Sequence, residues 1–498
     1  MHNLLISGLF VSIGLFIGRL SGFVRETFIA SNFGATEQTD LIIVFLSTPD
    51  ILVNLLVGGA LGMALIPEFK RLDHQAATIL YRQVLALMIV LFCMISLVAY
   101  LFSSQILSSF APGLSDTATQ KYGDTFAITF IAIPLTVAAG VTTAFLNYRD
   151  KFLIPALGTL IFNLVLIASL YFASQFDSEY ILLVISIGVC IGAFVRWFSQ
   201  VINSKISPFG QIDFSDNLVT SSLLRRYFYC VLTGGIIFLI PVVARAIASH
   251  TGPGELSLVN YAIKLVEFPL GVVLTVFAIV FFPRFSGFFA EGDESAFLET
   301  FKRVLLSVIA ISLAVFVPLN HFSSSIVYLI YDWGQLNPEQ LSKIAAYFYS
   351  VSLTLPFQGI NALLIAVIAS RRDTLSPLIC STCLAVIFIV IGYGFVTEIS
   401  DVFNLMVFTY ALLSVALLLI IHIKHKINFI KNGDFTFDFL KLLVAAVIYH
   451  WLLSLVNFTQ QRVWVDMMVA SVSSILFIVV CIFLSQNIRR IIKVQKGL

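Results

Sequence analysis

The sequence predicts an all-α polytopic membrane protein: about fourteen transmembrane helices, two parallel six-helix repeats forming two lobes, and two further helices at the C-terminal end. Three observations carry that prediction. Hydrophobic residues make up 59% of the 498 positions and charged residues only 11%, whereas a soluble domain carries about 25% charged residues. The apolar residues lie in long unbroken runs, not in the period-two alternation of a membrane β-barrel. Basic residues, finally, are sorted between alternate connections. The same composition excludes a soluble enzyme, a disordered chain and a collagen-like fibre. A net charge of +2 gives no reason to expect a nucleic-acid partner.

Fourteen apolar segments follow in order. Residues 4–30 lack a basic n-region and a small-residue cleavage site, so they read as a span, not a cleavable signal. Next come 40–66, 83–109, 123–146, 153–173 and 180–202, each long enough at 1.5 Å per residue to cross about 30 Å of hydrocarbon. A second series covers 224–249, 257–283, 303–322, 343–369, 376–397 and 401–423, and the runs 440–458 and 465–487 complete the set. The expected domains are an N-terminal lobe (1–202), a cytoplasmic linker (203–223), a C-terminal lobe (224–423) and a last section (440–498) of two helices and a cytoplasmic tail. With the N-terminus inside, 21 of the 29 basic residues fall on the inner side and only Lys121, Lys343 and Arg462 on the outer. That asymmetry places both termini in the cytoplasm. All six cysteines (Cys93, Cys190, Cys230, Cys380, Cys383, Cys481) lie in apolar runs. They read as packing residues, despite the CxxC spacing of Cys380 and Cys383.

The halves resemble each other. Ile29-Ala30-Ser31 and Pro67-Glu68-Phe69 correspond to Ile247-Ala248-Ser249 and Pro283-Arg284-Phe285. Pro134, Arg149-Asp150 and Pro155 correspond to Pro356, Arg372-Asp373 and Pro377. These matches, at offsets of 216 to 223 residues, indicate that helices one to six recur as seven to twelve. An even number of spans keeps the two bundles parallel, an arrangement that suits a pathway opened alternately to either side. The paired span prolines, Pro134 with Pro356 and Pro49 with Pro269, read first as fixed kinks and second as hinges.

Charges inside the apolar runs are the candidate site. Helix one carries Arg19, Arg25 and Glu26; helix two carries Asp40, Asp50 and Asn54; helix seven carries Arg245; helix eight carries Lys264 and Glu267. A charge at bilayer depth costs about 2.5–3.5 kcal/mol even on insertion scales, so such groups face protein or a wet cavity. One explanation is internal ion pairing, Arg25 with Glu26 or Asp50 and Lys264 with Glu267. The other is a cationic cavity for an anionic substrate. It gains from the clustering on helices one, two, seven and eight, which the repeat makes equivalent. Three arginines and a lysine suit a diphosphate, because the guanidinium fork holds two oxygens at once. Arg19, Arg25, Lys264, Arg245 and Asn54 are then the substrate-binding candidates, and Glu26, Asp40, Asp50 and Glu267 the gate or ion-pair candidates. No catalytic residue, metal or cofactor is expected. The run GxxxxGK[ST] is absent, which argues against an ATPase. The outer connection 323–342 offers Asp332 and Glu339 without His or Cys, a poor basis for an enzyme.

Gly18-Arg19-x-x-Gly22-Phe23-x-Arg25-Glu26, Phe33-Gly34-Ala35, Thr39-Asp40, Pro49, Gly59-Ala60 and Ile66-Pro67 resemble the MurJ (MviN) lipid II flippase family of the multidrug/oligosaccharidyl-lipid/polysaccharide exporter superfamily. Glu267-Phe268-Pro269-x-Gly271 followed by Pro283 is similar to that family's eighth helix. The resemblance implies a central cationic cavity and a groove for the lipid tail between helices thirteen and fourteen. It also implies export of an undecaprenyl-diphosphate-linked glycan, lipid II, across the bacterial cytoplasmic membrane by alternating access. Partners would be that lipid, membrane lipids and the cell-wall synthesis machinery. By position, Arg19, Arg25 and Asp40 match cavity and gate residues, and Lys264 stands where the family has an arginine. The sequence departs from the family in helix two, where Asp50, Val53, Asn54 and Gly58 replace a more basic set. Segments 224–249 and 376–397 contain no Asp or Asn, so the sodium site of some members is not expected. Alternatives are a flippase for another polyprenyl-diphosphate glycan, such as an O-antigen or exopolysaccharide unit, and a cation-coupled drug exporter.

Overall fold

The computed structural model describes residues 2–56, 60–208, 210, 218–221, 223–225, 227, 235–429, 433–455, 463–485 and 487–489. Among these, the regular elements are helices and no strand occurs. That is the composition's consequence, because backbone polar groups in lipid must be satisfied within the segment.

The contacts divide the chain into two compact units, Met1–Asn260 and Tyr261–Leu498. The first holds α1 (His2–Phe33), α2 (Glu37–Leu56), α3 (Ala60–Arg71), α4 (His74–Leu101), α5 (Ser103–Phe110), α6 (Asp116–Ile128), α7 (Ala132–Tyr148), α8 (Leu153–Ala173), α9 (Ser178–Ser204) and α10 (Leu239–Ser249). The cut falls within α11 (Glu255–Pro269). The second unit continues with α12 (Thr275–Glu291), α13 (Glu294–His321), α14 (Ser323–Tyr331), α15 (Pro338–Ser352), α16 (Leu355–Ser370), α17 (Leu375–Phe395), α18 (Ile399–Leu419), α19 (Asp434–Ser454) and α20 (Val463–Leu484).

Among the described residues, ten helical stretches are long and apolar enough to span a membrane, eleven if α15 and α16, bent by 41°, form one span. They coincide with the third to sixth and the eighth to fourteenth segments of the sequence. Of the remaining three, 40–66 and 224–249 run partly through residues outside the description, and 4–30 lies within α1, many of whose side chains fall outside it. Large apolar side chains such as Phe395, Trp464 and Met468 are exposed, as lipid-facing surface requires.

In the first unit, small residues let α1 lie close on α8. A Cβ on Gly14 would come within 2.7 Å of the Ala156 side chain, and one on Gly18 within 3.2 Å of Thr159. Such close approach substitutes for a hydrophobic drive that lipid does not supply. Tyr81 stacks on Phe145 and hydrogen-bonds Thr142 in the core. In the second unit, Pro269 ends α11 and a π-helical turn, Leu270–Leu274, follows it. Proline lacks the N–H that would continue the α ladder. The kink expected at Pro269 is thus a change of helix type.

One detail of the sequence pairing is corrected by the backbone. Arg149 and Arg371, not Arg149 and Arg372, occupy matching positions. Both cap a helix C-terminus, with φ/ψ of −86°/12° and −89°/16°. The residue after each is left-handed, Asp150 at φ 59° and Arg372 at φ 62°. The shared dipeptide Arg-Asp is therefore out of register by one.

Candidate functional site

Charged residues of the first unit's apolar helices meet in one buried network. Arg25 on α1 donates to Glu26 Oε1 at 2.7 Å and to Asn163 Oδ1 on α8 at 3.1 Å. Asn163 Nδ2 reaches back to Ser21 Oγ at 3.0 Å and the Gly18 carbonyl at 3.3 Å. Glu26 Oε2 accepts from Asn260 Nδ2 on α11 at 2.9 Å, and Asn260 Oδ1 accepts from Arg245 on α10 at 2.8 Å. Arg25, Glu26, Asn163, Arg245 and Asn260 are all buried.

Internal ion pairing thus accounts for Arg25 and Glu26. The same network also holds a second guanidinium, Arg245, on the Asn260 amide. The two asparagines turn each amide both ways, accepting from an arginine and donating elsewhere. Neither was singled out in the sequence. An amide within an apolar run is an ordinary packing residue until its partners are known, and these partners come from other helices. Only the cost of burying an amide, about 1–3 kcal/mol if unpaired, could have flagged them.

Arg19 lies on an exposed face of α1. Asp50 and Asn54 lie on α2, but their side chains fall outside the described residues. In the second unit, Lys264 Nζ and Glu267 Oε2 are 2.7 Å apart and half-buried, the (i, i+3) pair the spacing implied.

Asp40 sits elsewhere, at the start of α2, with its carboxylate on the N-terminus of α11. Oδ2 accepts the Gly254 N–H at 2.7 Å, and Oδ1 accepts the Ser257 N–H at 2.8 Å and the Ser257 hydroxyl. An anion is favourable there because the first N–H groups of a helix lack internal partners and carry partial positive charge. Beside this contact, Gly254 is left-handed at φ 84°, and a Cβ on it would meet the Ala35 carbonyl oxygen at 2.5 Å. Gly113 donates its N–H to Ser249 Oγ at 3.0 Å at the end of α10. The Asp40 contacts tie the start of α2 to the α10–α11 connection, and Gly113 ties the α5–α6 connection to the end of α10.

A groove of about 630 Å³ runs along α19 and α20 in the second unit. Its walls include Leu440, Val444, Ile448, Leu476 and Val480, with Lys441 at the end nearer the start of α19. Among the described residues, no three His, Cys, Asp or Glu side chains converge as a metal would require.

The helical spans, with arginines buried among them, are those of a multi-pass membrane protein. Its fold is shared with an inward-facing multidrug resistance MATE family transporter of the MOP superfamily (TM-score 0.65, 11% identity, 80% of this chain and 92% of that one). More similar is a structure described as lipid II flippase MurJ in an inward closed conformation (TM-score 0.78, 20% identity, 94% and 98% covered). The sequence profile described as "Lipid II flippase MurJ" matches residues 29–483, so the chain belongs to the MurJ lipid II flippase family. Among its relatives are a probable lipid II flippase MurJ of Buchnera aphidicola (26% identical, 67% of this chain and 66% of the relative) and the lipid II flippase MurJ of Burkholderia cenocepacia (24%, 77% and 75%).

Proposed function

We propose that this chain moves lipid II from the inner to the outer leaflet of the bacterial cytoplasmic membrane by alternating access. The supporting observation is the buried network of Arg25, Glu26, Asn163, Asn260 and Arg245. It joins two guanidinium groups, Arg25 and Arg245, and the Glu26 carboxylate through shared amides within apolar helices, a cluster of the kind a diphosphate takes. Arg19 and Lys264 extend the cationic set, and Asn54 and Asp50 complete it from α2. Glu26 and Glu267 act as release partners that reclaim the cations when substrate leaves. Asp40 is the gate, holding the α11 N-terminus until the other state forms.

The chain has fourteen spans in two parallel six-helix lobes, 1–202 and 224–423, with both termini in the cytoplasm. The groove of α19 and α20 takes part of the polyprenyl tail. Cell-wall synthesis enzymes are the natural partners, since they consume the exported lipid. Moving an anionic headgroup out of a negative interior is downhill by about 2.3 kcal/mol per charge at 100 mV, so no coupling cation is required.

Complementation in cells depleted of their own lipid II flippase tests this reading, scored by survival and by lipid II in the outer leaflet. Rescue by the wild type and loss of rescue in Arg25→Ala, at equal membrane abundance, are expected. Failure of a well-inserted wild type redirects the cargo to another polyprenyl-diphosphate glycan. Full activity of Arg25→Ala removes the cationic site.

A further inference from the structure

Two turns built alike carry opposite charges at one position. The left-handed residues Asp150 and Arg372 follow the matching caps Arg149 and Arg371, and each turn lies beside the left-handed end of another helix, Lys205 at φ 55° and Lys426 at φ 56°. Two residues beyond the cap, one turn has Asp373 and the other Lys151.

The consequence is a difference in partners. Around Asp373 the groups inside the turn meet carboxylates. Arg371 is bidentate to Glu294 at 2.7 and 2.9 Å, and Asp373 takes Lys424 at 2.8 Å and His425 at 3.1 Å. Around Lys151 the cations meet carbonyls and, for Arg149, the Phe145 ring 5.9 Å away. Arg149 donates to the Ser204 carbonyl at 3.0 Å and Lys151 Nζ to the Asn203 carbonyl at 2.7 Å. Those carbonyls end α9, and a helix C-terminus offers about half a negative charge to two cations, with Lys205 a third close by. Among the described residues, none of the three is ion-paired with a carboxylate. Burial and then the charges of Arg149 and Lys205 hold the Lys151 ammonium below its ordinary value. Cations that crowd one another in this way leave a place for an anion.

The surface beside the corner says which kind. Ile202, Phe198 and Phe194 follow one another at four-residue steps along α9, all exposed, and Leu153 is exposed just after Lys151. A small free anion has no use for that apolar stripe, whereas a lipid covers it with its chains while its phosphate sits at the helix ends.

We infer that Arg149, Lys151 and Lys205 form a binding site for the phosphate of an anionic phospholipid, with the acyl chains lying along the Phe194–Ile202 face of α9. The leaflet is the cytoplasmic one, a step that rests on the orientation proposed above. Such a lipid anchors the first unit at the headgroup plane.

The test is native mass spectrometry of the full-length protein in detergent, titrated with phosphatidylglycerol, phosphatidylcholine or inorganic phosphate. Wild type is expected to retain one tight phosphatidylglycerol and no phosphatidylcholine. Lys151→Asp copies the charge of the matched turn, so it is expected to fold and to bind phosphatidylglycerol about 30-fold more weakly, at about tenfold per 1.4 kcal/mol and about 1 kcal/mol per surface charge. Lys205→Gln, a milder change on an exposed side chain, should weaken binding several-fold, and Lys151→Arg should preserve it. Equal retention by wild type and both charge-removing variants overturns the site. Equal binding of phosphatidylcholine overturns the requirement for an anion, and displacement by equimolar inorganic phosphate overturns the lipid as its source. Phosphatidylglycerol retention does not depend on transport, so a protein that binds it yet fails complementation upholds this site and sinks only the flippase reading. Labelling of Lys205→Cys from outside intact cells overturns the leaflet.

Discussion

Asp40 and Ser257 meet twice at one oxygen: Asp40 Oδ1 accepts both the backbone N–H and the hydroxyl of Ser257. With Oδ2 on the Gly254 N–H, a residue of α2 does for α11 what an N-cap side chain does within its own helix. Replacing an N-cap side chain by Ala costs about 0.5–2 kcal/mol, and here buried donors are stranded as well. Asp40→Ala is therefore expected to lower the thermal midpoint and to speed amide exchange at Gly254 and Ser257. Asp40→Asn should fall between the two, since it keeps the shape and loses the charge. Exchange at those two amides as slow as in wild type would show that the cap contributes nothing.

Asn163 and Asn260 stand on either side of the Arg25–Glu26 pair. Asn163→Leu strands part of a buried guanidinium and Asn260→Leu part of a buried carboxylate, each at about 1–3 kcal/mol. Each variant should lose tenfold or more in transport while still inserting. Because both act on one ion pair, their effects should not add, with a coupling energy of about 0.5 kcal/mol or more. A double-mutant cycle that closes to zero would break the network into unrelated contacts.

Glycine is required at Gly254 for two reasons and at Gly292 for one. Both are left-handed, at φ 84° and φ 73°, but a Cβ on Gly292 meets nothing within 4 Å while one on Gly254 strikes the Ala35 carbonyl. Gly292→Ala should cost only the left-handed penalty, about 1–2 kcal/mol. Gly254→Ala must also push the α1–α2 connection away, so the thermal midpoint should fall further and transport should drop with it. Equal losses in the two variants would mean that the Ala35 contact yields freely.

How much of this was legible beforehand depended on the kind of residue. Arg25, Glu26, Arg245 and Lys264 were visible because a charge within an apolar run is expensive and therefore conspicuous. Asn163 and Asn260 were not, since their meaning lies in partners 138 and 234 residues away. Asp40 was marked as a gate or ion-pair candidate by its charge and by the resemblance; that its carboxylate seats on a helix N-terminus needed the fold. The kink at Pro269 was readable and its π-helical form was not, because proline dictates a missing bond and packing decides how the chain absorbs it. The register of Arg149 failed for a related reason: letter identity favoured Arg372, while the left-handed backbone at Asp150 and Arg372 fixes Arg371 as the match.

The turn at Asp373 should respond to acid through His425. Burial, opposed by the nearby Asp373 carboxylate and reinforced by the charges of Arg371 and Lys424, holds the imidazole below its ordinary 6.5. Asp373 is also depressed: burial alone would raise it, but hydrogen bonds from Lys424 and Ser376 outweigh that. A depressed folded value means that the unfolded chain binds more protons, so stability rises with pH. For His425 the contribution is complete above about 6.5 and is lost as the pH falls through the lower, folded value. For Asp373 the corresponding loss begins only below its ordinary 3.8. Between pH 7.5 and 5.5 the change therefore belongs to His425 at this turn. Wild type should lose thermal midpoint across that interval, and His425→Gln, which cannot charge, should lose less. An identical drop in both proteins would place the acid sensitivity elsewhere in the chain.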